Sequence, residues 1–170
     1  DAIDRMRGQV REEKPVVTID LPFDMLIPDA YVPDQRERLA LYRKVARLES
    51  VDQIEPLKEE LRDRFGPVPK SVQNLLTQLE LKLMAQQVGF ISIVLRGELL
   101  VIKGERRIVF DRVGLYRRFG MSARIDENTL RIQRSSLSED WLADLRAILT
   151  DTLALRERQQ AALAEQVGRG

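Results

Sequence analysis

The chain has 170 residues, 44% of them hydrophobic and 32% charged, and 28 Lys and Arg against 27 Asp and Glu leave a formal net charge of +1. That length suits one domain around a single core, and the composition is globular rather than disordered. There is no cysteine and no histidine, which excludes disulfides, thiolate metal sites and cysteine nucleophiles, and removes the commonest general base and metal ligand.

Residues 1–14 are charged and lack the apolar segment of a signal peptide. They read as the end of a preceding helix and a polar linker, as expected in a fragment of something longer. No apolar run is long enough to span a bilayer. A single domain is expected over residues 15–156, with a polar, frayed tail over 157–170. After Pro15, the β-branched run from Val16 to Leu21 predicts a strand. Pro22, Pro28 and Pro33 make the following segment extended.

Asp34 is placed to cap a first helix over residues 35–49, with Glu37 three positions on as in a capping box. Arg38, Leu41, Tyr42, Val45 and Leu48 follow helical spacing. A second helix is expected from about Asp52, taken as its cap, to the residue before Gly66. Ile54, Leu57, Leu61 and Phe65 form its apolar stripe, with Asp52, Glu59 and Asp63 opposite and Glu60 on the flank. Pro56 then falls in the first turn, or kinks the helix if that helix starts earlier. Gly66 ends it, Pro67 and Pro69 prevent continuation, and a third helix runs to Val88 with Val72, Leu75, Leu76, Leu79 and Leu83 inward and Gly89 as its stop.

Short Ile- and Val-rich strands are predicted over residues 90–96, 99–103 and 106–110. They are separated by Gly97-Glu98 and Gly104-Glu105, where a leading glycine suits a type II′ hairpin turn. Residues 111–119 suit a short helix stopped by Gly120, and a second hairpin turns around Asp126, Glu127 and Asn128. Ser138 is expected to cap a long last helix carrying Trp141, Leu142, Leu145, Ile148, Leu149 and Leu153 on one side. The fold class is α+β: a helical half, then an antiparallel sheet, then a long helix packed on it.

No catalytic pattern is present. The nine glycines form neither a phosphate loop nor a dinucleotide fingerprint, and Ser135 and Ser136 have no histidine to activate them. Charge, however, is unevenly spread. Residues 1–66 hold 15 acidic and 12 basic side chains, whereas residues 96–134 hold 5 acidic and 10 basic. Arg106, Arg107, Arg117 and Arg118 lead a set that could contact phosphates, with Phe110, Tyr116 and Phe119 among them. The competing reading places arginines on the outer face of a one-sided sheet and the aromatics in the core. Glu60 and Asp63, three apart on the second helix, can address one site and take an arginine between them, with Glu59 and Arg64 beside them. An ordinary solvated face, locally paired through Arg62 and Arg64, accounts for the same residues.

Two segments carry a more specific pattern. Ile27-Pro28-Asp29, Tyr31-Val32-Pro33-Asp34 and the helix from Arg38-Leu39 to Val45-Ala46 are followed at fixed spacing by Glu60-Leu61 and Asp63 through Pro69. Over residues 16–95 this resembles the C-terminal domain of bacterial transcription-repair coupling factor (Mfd). The remainder fits in element order, and Pro56 departs from the usual glutamate-rich helix. The resemblance implies a non-catalytic, autoinhibitory domain in a cytoplasmic bacterial DNA-repair translocase, with the ATPase motor and the RNA polymerase contact elsewhere in the parent and no cofactor or metal in this chain. It implies docking on an N-terminal module of the same protein, masking the surface that recruits UvrA, with Glu60 and Asp63 at the acidic positions of that contact. A DNA-binding accessory module using the arginines of residues 96–134 is the alternative.

Overall fold

A computed structural model describes residues 16–169; the helix end and linker expected over residues 1–14 lie outside them. β1, Thr18–Asp20, falls within the expected strand. The proline-rich stretch then leads to α1, Gln35–Ala46, where Asp34 Oδ1 accepts from the amides of Arg36 at 2.8 Å and Glu37 at 3.3 Å. α1 ends three residues short of Glu49. The amides of Glu49 and Ser50 are drawn instead to the side chain of Gln53, part of a capping box in which Ser50 caps a 3₁₀ turn, Val51–Gln53. Ser50 therefore takes the cap expected of Asp52. The turn runs directly into α2, Ile54–Phe65, so Pro56 sits in the first turn of α2, where an amide has little helical partner to lose. Gly66 closes α2 with φ +90°.

α3, Lys70–Val88, is buried on two sides. Val72, Leu76, Leu79 and Leu83 join α1 and α2 in one apolar cluster. Leu81, Ala85 and Val88 join the inner face of the sheet, α4 and α5 in a second.

The sheet contains β2 (Phe90–Arg96), β3 (Leu99–Gly104), β4 (Arg124–Asp126) and β5 (Thr129–Gln133) in the order β1-β2-β3-β5-β4. Its pairings are antiparallel except β1 with β2, which is parallel, so the sheet is mixed. Gly97, with φ +58°, supplies the expected turn between β2 and β3. The expected strand over residues 106–110 does not form. After Gly104 the chain leaves the sheet: Glu105 N donates to Gly89 O, Ile108 N returns to Glu105 O, and the free side of β3 pairs with β5. Ile108 folds back so closely that a Cβ on Gly104 would lie 2.5 Å from its side chain.

α4, Arg112–Phe119, is capped by Asp111, which accepts from Gly114 N. α5, Trp141–Gly168, is capped by Asp140 rather than Ser138; the Ser138 amide donates to Asp144 instead. Beyond Arg156, α5 continues as an exposed helix. Arg146 on α5 pairs with Glu80 on α3 at 2.9 Å. All the helices that contribute to the second cluster lie on one face of the sheet. On the other face, Val94, Leu99 and Val101 are half-buried and belong to neither cluster.

Candidate interaction surface

α2 presents three distinct sides. Ile54, Leu57 and Leu61 are buried against α1 and α3. On the solvent side, Asp52, Glu55, Glu59 and Asp63 are exposed, and the last three repeat every fourth residue in one stripe. None of these four carboxylates has an ion pair or side-chain hydrogen bond among the described residues.

Between the two lies a braced edge. Glu60 accepts from Lys44 of α1 at 2.6 Å, and its other oxygen lies 3.6 Å from Arg64. Arg64 also pairs with Glu37 of α1 and lies over the Phe65 ring, 4.8 Å from its centroid. The hydrogen bond from Lys44 is the main cause that lowers the Glu60 carboxyl below its ordinary pKa; burial opposes it and Arg64 adds to it. These partners are 37–51% exposed, so each pair contributes only about 0.2–1 kcal/mol. Their effect is chiefly to fix α2 against α1.

The two acids singled out from the sequence are thus on one helix but in different states. Asp63 belongs to the unpaired stripe with Glu59. Glu60 is half-exposed and already engaged. Of the local pairing expected through Arg62 and Arg64, the structure shows that of Arg64 with Glu60; sequence reasoning missed Lys44, whose approach depends on the packing of α1 on α2. It also missed Glu55, although its four-residue spacing from Glu59 was there to be read.

The arginine candidates lie on two segments, the turn after β3 and α4. Arg106 is exposed in the turn after β3, and Arg107 lines an open groove of about 200 Å³ with Glu105, Arg156 and Leu163. Arg117 is exposed on α4, while Arg118 is paired with Asp151 of α5 at 3.2 Å. Phe110 and Phe119 are buried as expected, but Tyr116 is 62% exposed. The register of α4 explains this: Leu115 and Phe119 fill the inward face one turn apart, and Tyr116 turns away from it. Among the described residues, no helix is long and apolar enough to cross a membrane, and no group of three or more Asp and Glu is arranged to hold a metal ion.

A helix pair fixed to a one-sided sheet, with charge organised along helix edges, defines an α+β domain whose recognisable features are surfaces. A family model described as the TRCF domain matches residues 21–112. The chain belongs to this family. A transcription-repair-coupling factor of Staphylococcus aureus (strain USA300) is 33% identical over 104 residues, and one from Borreliella burgdorferi is 24% identical over 102. In both cases the match covers 60% of this chain and 9% of the longer relative. Among solved structures, the crystal structure of the C-terminal domain of a transcription-repair coupling factor superimposes with a TM-score of 0.68 at 24% identity, covering 83% of this chain and 93% of that one. That likeness establishes the shared fold.

Proposed function

We propose that this domain is a non-catalytic regulatory clasp in a bacterial transcription-coupled repair translocase. It docks on the N-terminal module of its own parent protein and masks the surface that recruits UvrA, until engagement with stalled RNA polymerase releases it. The observation that carries this reading is the unpaired acidic stripe of α2, set beside a braced edge, in a chain of the TRCF family. Asp63 and Glu59 are free to meet cationic side chains of a partner. Glu60 shapes the border of the contact while holding Lys44 and Arg64 in place. A clasp of this kind must bind the closed state preferentially, and coupling of about 1–3 kcal/mol is typical of such devices. The reading requires no cofactor or metal in this chain, assigns nucleotide hydrolysis to another part of the parent, and belongs to the bacterial cytoplasm.

The test is a titration of this chain against the separately produced N-terminal module. The expected result is saturable binding, weakened about thirtyfold or more by Glu60→Ala with Asp63→Ala, since truncating one side of a desolvated charge contact costs roughly 2 kcal/mol or more. In the full-length protein the same pair should increase UvrA binding. If the double variant keeps its melting temperature and binds the module as tightly as the unaltered chain, the acidic edge is not the clasp.

A further inference from the structure

The open face of the sheet is a candidate surface that the clasp does not use. Its register places Asp20, Val94, Val101, Arg131 and Arg124 in one row across all five strands, each paired with the next. Alternation puts their side chains on the same side of the sheet, opposite Ile93, Ile102, Leu130 and Ile132 of the core. The row is ordered by chemistry. Asp20 at one end is satisfied by Arg96. Val94 and Val101 form an aliphatic centre, extended by Leu99 two positions along β3. Arg131 and Arg124 stand directly opposite one another at the far end, with Lys103 on the diagonal.

Arg124, Arg131 and Lys103 are exposed and have no carboxylate partner among the described residues. Like charges directly opposite on paired strands destabilise a sheet. Here the juxtaposition occurs at the β5–β4 edge; Asp126, two positions along β4 on the same face, makes no ion pair with either arginine among the described residues, and an anionic partner relieves the repulsion. The row spans about 19 Å, at the usual strand spacing of about 4.8 Å, which is wide enough to seat one helix of about 10–12 Å diameter with its flanking side chains.

We propose that this face docks an amphipathic helix of a protein partner, its apolar stripe on Val94, Val101 and Leu99 and its carboxylates on Arg131, Arg124 and Lys103. The aliphatic centre favours a helix over single-stranded nucleic acid, because the face offers no aromatic ring on which a base could stack. The surface is separate from the α2 edge, so each proposal can fail without the other.

The experiment is an NMR titration of this chain with three probes: a synthetic helical peptide with leucine on one face and glutamate on the other, the same peptide with lysine in place of glutamate, and an oligothymidylate. The glutamate peptide should shift the amide and methyl signals of Val94, Leu99, Val101 and Arg131. Arg124→Glu with Arg131→Glu should weaken it by about tenfold or more, as loss and reversal of complementary charge predicts. The lysine peptide should leave those signals in place. Arg124→Gln serves as a milder variant; it should keep the dispersed spectrum and a melting temperature no lower than that of the unaltered chain, while still weakening the glutamate peptide. Shifts centred elsewhere, equal binding of both peptides, tighter binding of the oligothymidylate at this row, or an Arg124→Gln variant that binds undiminished would each overturn the proposal.

Discussion

Tyr31 ties together the segments that carry the family pattern. Its hydroxyl lies 3.1 Å from Leu61 O and 2.9 Å from Gly66 O, sharing one proton between two carbonyls at the end of α2. Burial is the main cause that raises its pKa, with Arg62 opposing, so the phenol stays protonated and donates. Tyr42 of α1 accepts from Ile27 N at 2.8 Å, and Arg38 donates to Val32 O at 2.9 Å. The proline-rich stretch, α1 and the end of α2 are therefore held by side chains from one another. Tyr31→Phe keeps the ring against Phe65, 5.6 Å away between centroids, and removes only the donor. We expect a loss of about 1–2 kcal/mol in urea unfolding, the usual cost of leaving a partly buried carbonyl unpaired. Glu60 should remain bonded to Lys44 in that variant, because α1 and α2 still pack through Leu41, Val45, Leu57 and Leu61.

Helices were more legible than strands, for physical reasons. Asp34, Gly66, Gly89 and Gly120 mark helix ends through local chemistry that acts within a few residues, and all four helix ends fall where the sequence places them. The strand expected at residues 106–110 had the right composition, but strand formation needs a free neighbour, and β5 occupies that place. The acidic side of α2 was legible from spacing, whereas its contact with Lys44 required knowing how α1 packs. Gly89 shows how a local signal and a distant one combine. It caps α3 at φ +88°, and a Cβ there would lie 2.4 Å from Arg156 and 2.7 Å from Glu105. Arg156 in turn donates to Val88 O at 2.7 Å and pairs with Glu105 at 2.9 Å. Gly89→Ala should cost about 2–4 kcal/mol, combining left-handed backbone strain with displacement of that arginine. Gly66→Ala has open space around its Cβ position, but φ +90° with ψ −166° lies outside the left-handed helical region, in a conformation that essentially only glycine adopts; backbone strain alone should cost about 1–3 kcal/mol. Paired denaturant titrations of the two variants measure the difference.

At the scale of the whole molecule, α3 makes two cores into one cooperative unit. The helical cluster cannot lose α3 without stripping Leu81, Ala85 and Val88 from the sheet. Trp141 reports on the sheet side, stacked on Phe23 at 5.9 Å; far-ultraviolet circular dichroism is weighted towards the helices. We expect both signals to follow one transition. Leu61→Ala, which removes a side chain buried in the helical cluster, should shift the two together by about 2–5 kcal/mol. Separate midpoints would show that the halves unfold independently.

The parallel pairing of β1 with β2 also has a consequence in time. Thr18 meets Ser92 and Asp20 meets Val94, so more than seventy residues, including the whole helical half, lie between partners. β1 is among the first of these elements to leave a ribosome, and it has no strand to join until β2 has followed it. Closing so long a loop carries an entropic cost that the intervening helices reduce once they have packed. The segment synthesised first is therefore one whose place in the sheet is completed late, after the helices that follow it in the chain.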